Sequence, residues 1–179
     1  MRKLLFPIVV LGVVVLALTS CSFMLNFTKV IPLNVSKSIE NLSSGSTDFD
    51  SMTITVSTDE LPLNHVVTTA TITVVVDFTA AGGLHPNVDG NGTSDGTIKF
   101  CISENEISDM TTCNDNAISD ALPYHAGGNT FKVSSEKIAD LLNQGYRTLH
   151  FGFIVDPYQN GDITVEASEL EVFGKKPMF

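Results

Sequence analysis

VVTTATITVVVDF, residues 66–78, places Val66, Thr68, Ala70, Ile72, Val74, Val76 and Phe78 on one parity and Thr69, Thr71 and Thr73 on the other. Successive side chains of a strand point to opposite faces, so this stretch reads as a strand with one dry and one wet face. A sheet covered on one side only is the habit of antiparallel sheets. The same period of two returns elsewhere. It runs through Met52, Ile54 and Val56, through Ile98, Phe100 and Ile102, and through Leu149, Phe151, Phe153 and Val155. From Phe23 to Val35 the odd positions Phe23, Leu25, Phe27, Ile31, Leu33 and Val35 are apolar apart from Lys29, and Pro32 predicts an edge strand or a break.

In the last run, Ile163, Val165 and Ala167 give way to Leu170 and Val172, so the apolar parity changes. A β-bulge near Ser168 and Glu169 restores the register, and a break into two strands is the alternative. One helix is expected, from Ser134 to Gln144. Ser134 is its cap, Val133 and Ile138 its hydrophobic staple, Ile138, Leu141 and Leu142 its apolar stripe, and Gly145 its stop. Glu104 to Lys132, polar and holding Cys113, Pro123 and Gly127-Gly128, reads as a long connection. Six strand candidates with one short helix predict a mainly β fold, an antiparallel two-layer β-sandwich of jelly-roll type.

Ahead of these strands, Arg2 and Lys3 are followed by an apolar run from Leu4 to Leu18 and then by Leu18-Thr19-Ser20-Cys21. At about 1.5 Å rise per residue the run reaches roughly 22 Å as a helix, short of the ~30 Å of a bilayer's hydrocarbon, and Pro7 and Gly12 weaken it further. The pattern resembles the lipobox of bacterial lipoproteins: an aliphatic residue, two small residues and a cysteine. That resemblance implies a signal peptide over residues 1–20, cleavage before Cys21 and a diacylglyceryl thioether on its sulfur. Residues 21–179 then form one β-sandwich domain held to a membrane by lipid, on the exported side of a bacterial cell envelope. An ordinary secretory signal is the nearest rival. Ser22, rather than Asp, follows the cysteine and is compatible with outer-membrane delivery where that sorting rule operates.

Removing residues 1–20 leaves 8 Lys+Arg against 20 Asp+Glu, a formal charge of −12. Such a surface repels phosphate backbones, so nucleic acid is not expected as a partner. With Cys21 assigned to lipid, Cys101 and Cys113 remain as an even pair. An oxidising compartment predicts a disulfide between them, and two free thiols are the alternative in a reducing one.

The closing run Ile163–Gly174, ending Glu-Leu-Glu-Val-Phe-Gly, is similar to the terminal strand of galactose-binding-like jelly rolls. The similarity implies a carbohydrate-binding type of sandwich and transfers no binding residue. Asn87, Asp89, Asn91, Thr93 and Asp95 alternate with other residues, a spacing that aims several oxygens at one hard cation. The segment resembles part of the calcium loop of EF-hand or dockerin type, with Gly92 at the sixth position and Ile98 at the twelfth, where that family carries a bidentate Glu. A glycine-rich polar loop is the other reading.

Ser134-Ser135-Glu136-Lys137 matches the serine-x-x-lysine motif of penicillin-binding enzymes without its companion motifs, and a serine before an apolar-periodic stretch is accounted for as a cap. His65, His85, His125 and His150 have no ligand spacing, and His150 is expected on a sheet surface. Glu104, Glu106 and Asp109 read as a solvated acidic loop, with a carboxylate pair for glycoside hydrolysis as the other reading. The sequence therefore predicts a lipid-anchored envelope protein with a non-catalytic binding or structural sandwich, without cofactor. Its partners are the membrane and a carbohydrate or envelope protein. The rivals are a small hydrolase of envelope polysaccharide and a calcium-dependent carbohydrate-binding lipoprotein.

Overall fold

The computed structural model describes residues 24–81 and 94–178. Eight strands run in chain order: β1 Met24–Leu42, β2 Asp48–Thr55, β3 Val66–Ala80, β4 Gly96–Ser103, β5 Leu122–Tyr124, β6 Gly127–Ser134, β7 Thr148–Pro157 and β8 Gly161–Pro177. Two short helices, α1 Met110–Asp115 and α2 Glu136–Asn143, and a 3₁₀ turn at Thr58–Glu60 complete the described elements. One sheet has the order β1-β8-β3-β6 and the other β2-β7-β4-β5, and the paired strands are antiparallel. The chain thus crosses between sheets at nearly every connection, the strand order of an eight-stranded jelly roll.

Burial of the alternating residues holds the sheets together. Ile72, Val74, Val76 and Phe78 of β3 and Ile163, Val165 and Leu170 of β8 face Ile98, Phe100 and Ile102 of β4 and Phe151, Phe153 and Val155 of β7, all almost completely buried. Each such side chain contributes about 1.5–3 kcal/mol on leaving water. Phe100 and Phe151 stack at 5.6 Å between centroids in the centre of this core.

The parity change in β8 is a bulge. Thr73 pairs with Glu169 and Val74 with Ala167, so Ser168 is the extra residue, and its hydroxyl donates to the Thr73 carbonyl at 3.1 Å. β1, which carries Pro32, lies at a sheet edge. Three expectations need correction. At the start of β3 the core residue is Val67, not Val66, because Thr68 is a second extra residue between the pairs Val67↔Gly174 and Thr69↔Phe173 and shifts the parity. The helices number two, not one: α1 lies in the stretch read as a loop, together with β5 and most of β6. Finally, the cap of α2 is Ser135, whose Oγ accepts from the Lys137 amide at 3.2 Å, while Ser134 remains in β6 and bonds the Thr71 hydroxyl.

The stretch after β4 folds back over the outer face of the second sheet. Ile102 N donates to Asn116 O and Ile118 N to Phe100 O, which occupies the edge of β4 that three-residue β5 leaves open. α2 does similar work for β3, where the Asn143 side chain bonds both the amide (2.7 Å) and the carbonyl (2.8 Å) of Val67. Edges satisfied this way are not free to pair with another chain.

Candidate functional site at the loop-bearing end

Strand pairing brings Leu42, Ala80, Gly96, Tyr124, Pro157 and Gly161 to one end of the sandwich, so four connections emerge there: 43–47, 81–95, 125–126 and 158–160. None contains a lysine or arginine. Asp95 is the junction of the last three. It is buried, its Oδ2 accepts from the Ala126 amide at 2.6 Å, and its Oδ1 accepts from the Gln159 side chain. Its amide donates to Tyr124 O and its carbonyl accepts from Tyr158 N, both at 2.8 Å. A buried carboxylate is costly unless hydrogen-bonded, and here two donors from different connections meet it.

The first connection is tied on separately. Gly45 N donates to Pro157 O at 2.9 Å, Ser44 N to Asn160 Oδ1 at 2.7 Å and Thr47 Oγ1 to Asp156 Oδ1 at 2.6 Å. Beside it lies an open polar depression of about 330 Å³ lined by Asn41, Ser43, Ala81, Asn160 and Asp162, in which the Asp162 carboxylate already accepts from the Asn41 amide at 2.8 Å. A second depression, by Lys99, Ser119, Asp120 and Ser135, also holds a single carboxylate.

Under the loops, the Tyr124 ring is fully buried against Phe78, with centroids 5.2 Å apart, and its hydroxyl has no hydrogen-bond partner among the described residues. Burial, reinforced by the negative charges of Asp95 and Asp156, pushes the phenol well above the ordinary tyrosine range. Gly96 makes room for it, since a Cβ there would collide with the Tyr124 hydroxyl.

Of the oxygen-rich segment, Asn87, Asp89, Asn91 and Thr93 lie outside the described residues, as does Cys21. Asp95 is described, and what it does is bind Ala126 and Gln159. Among the described residues, no group of three or more His, Cys, Asp or Glu is arranged to hold a metal ion. Cys101 of β4 and Cys113 of α1 are joined as a disulfide with Cα atoms 5.3 Å apart, both fully buried in a small apolar cluster with Ile107, Ile154 and Phe49. Asp109 caps α1, its carboxylate accepting from the Thr112 amide at 2.7 Å, and that bond holds it below its ordinary value. Ser134 and Lys137 have separate partners, Thr71 and Asn116. The ring of His65 is edge-on to Phe27, His125 lies in the connection after β5, and His150, on β7, is half-buried. Tyr124, Asp156, Gln159 and Asn160 carried no signal beyond the turn-forming Asn160-Gly161 pair, because their roles come from pairing across the chain.

No family model and no curated protein matches the chain. Among solved structures it is similar to the enzymatically active domain of tailspike protein 4 of bacteriophage CBA120, at 11% identity and a TM-score of 0.37, covering 83% of this chain and 19% of that one. It is also similar to the decameric BFDV capsid protein, at 14% identity and 0.36, covering 86% and 98%. Latent dimeric PorU of Porphyromonas gingivalis follows at 8% and 0.33, covering 87% and 13%. The chain spans about a fifth of the tailspike domain and about an eighth of PorU. Likeness at this level says nothing of what the chain does.

Proposed function

We propose that this chain is a lipid-anchored protein of a bacterial cell envelope whose jelly-roll domain is a non-catalytic binding or structural module. The observation that carries the reading is Leu18-Thr19-Ser20-Cys21 at the end of the apolar run that follows Arg2 and Lys3. Assigning Cys21 to lipid leaves Cys101 and Cys113, and these two are bonded to one another, as an exported domain favours. The described part of the first strand begins at Met24, three residues beyond Cys21 in the sequence.

Mass spectrometry of the protein extracted from a bacterial envelope tests the anchor: the N-terminal peptide is expected to begin at Cys21 with a diacylglyceryl thioether, and Cys21→Ser to abolish it. An unmodified N-terminus at any other residue would remove the basis of the reading. Reducing-end release from envelope polysaccharide, lost on Asp162→Asn, would replace the module by the hydrolase.

A further inference from the structure

The end of the sandwich opposite the loops is where β1 starts and β8 finishes, and there the register pairs Met24 with Pro177, Leu25 with Lys176 and, on the other side of β8, Val66 with Lys175. Met24, Leu25 and Val66 are all exposed, although each heads a strand whose later apolar residues are in the core. Leu63 is exposed to 89%, on a connection held beside β1 by the Phe27–His65 ring contact and by the Lys29–Glu60 ion pair at 2.8 Å. Four exposed apolar side chains therefore stand on one rim with Lys175 and Lys176.

The rim is richer in cations than the molecule as a whole. Lys29, Lys175 and Lys176 meet Asp59 and Glu60 here, whereas residues 21–179 carry 8 cations against 20 acids and the connections at the far end carry no lysine or arginine. Exposed apolar groups flanked by lysine are what a bilayer interface accepts: the apolar groups enter the acyl boundary and the ammonium groups lie at anionic headgroups. Cys21 is three residues before Met24 in the chain, so a lipid on its sulfur would hold this rim near the membrane.

We infer that Met24, Leu25, Leu63 and Val66, with Lys175 and Lys176, form the face that the anchored domain lays on an anionic bilayer, leaving the acidic loop end outermost. This rests on the lipid-anchor reading. Along the 17 residues of β8, at about 3.3 Å each, the two ends are roughly 50 Å apart.

The chain has no tryptophan, so one introduced tryptophan is a unique probe. Full-length Leu63→Trp and Tyr158→Trp proteins, both substituted at exposed positions, are purified from the envelope and reconstituted in phosphatidylethanolamine and phosphatidylglycerol vesicles with brominated acyl chains. The expected result is quenching of Trp at 63 several-fold above that at 158, cut to the level at 158 by Lys175→Glu with Lys176→Glu. The mass of the Cys21 peptide is read on the same samples. Lipid on Cys21 with equal quenching at the two positions overturns the membrane face and leaves the anchor intact; an unmodified Cys21 overturns both.

Discussion

Gly152 of β7 lies directly opposite Cys101 of β4, and a Cβ on that glycine would stand 2.8 Å from the Cys101 sulfur and 3.3 Å from the Phe49 ring. The glycine is the space into which the disulfide is packed. Gly152→Ala should therefore destabilise by about 1–3 kcal/mol, the usual cost of forcing extra volume into a filled core. Chemical denaturation of the variant measures it, and an unchanged midpoint would mean that the sulfur moves freely.

The Cys101–Cys113 bond closes a short loop and holds α1 against the outer face of the second sheet. Replacing both cysteines with serine should cost ~3 kcal/mol on the loop-entropy model. For a domain of this size the melting temperature should fall by roughly 6–12 °C. Because both sulfurs are fully buried, the native protein should resist alkylation until it is reduced and unfolded. Prompt labelling of both positions without reductant would show that they are free thiols.

Ser135 and Ser134 make a paired test of the helix start. Ser135→Ala removes the oxygen that accepts from the Lys137 amide and should cost about 1 kcal/mol, whereas Ser134→Ala loses only a hydroxyl contact with Thr71 on the exposed sheet face and should change stability by less than about half that. Equal losses would place the cap one residue earlier.

Tyr124→Phe should leave stability unchanged or raise it slightly at neutral pH, since it removes a buried hydroxyl that has no partner among the described residues. The wild type should carry an alkaline liability that the variant lacks. Above the ordinary value of 10.0 the unfolded chain releases a phenolic proton that the folded chain retains, so stability falls as pH rises through that region. Unfolding free energies measured from pH 8 to pH 11 on both proteins check the sign: parallel curves would show that Tyr124 ionises normally.

Asp95→Ala should be among the more damaging single changes, because it strands the Ala126 amide and the Gln159 side chain and leaves three connections without their junction. An unsatisfied buried donor costs about 1–3 kcal/mol. Millimolar calcium should not shift the melting temperature of the wild type, given Ile98 where a bidentate acid is required and an Asp95 already bonded to protein donors. A saturable rise that disappears in Asp89→Asn would instead assign the oxygen-rich loop to calcium and make the module calcium-dependent.

How far the sequence could be followed depends on whether an element writes its neighbours into its own pattern. β3, β4, β7 and β8 do so, since one face of each meets the opposing sheet, and the bulge at Ser168 was visible because the apolar parity changes around it. The extra residue at Thr68 was not visible: Val66 and Val67 are both apolar, so either parity fits. β5 is Leu-Pro-Tyr, a proline-centred edge strand, and β6 carries only Phe131 and Val133 as large apolar residues, so both passed for loop. α1, with two threonines and a cysteine in six residues, has no apolar stripe at all. The junction at Asp95 was unreadable for another reason. Its partners lie 31 and 64 residues away, and one of them is a backbone amide that any residue would supply.

β8 sits between β1 and β3, yet it is the last strand of the described chain, and its Pro177 pairs with Met24. The first sheet thus lacks an inner member until the final stretch of chain has been made. Contacts of such long sequence separation form late and slowly, because their loop-closure entropy is spent before they return anything. Synthesis of everything up to Gln159 supplies every strand of the second sheet but leaves the first with an apolar seam open between β1 and β3. The strand that closes the first layer is thus the last of the described strands to be made, and the seam it fills stays open until then.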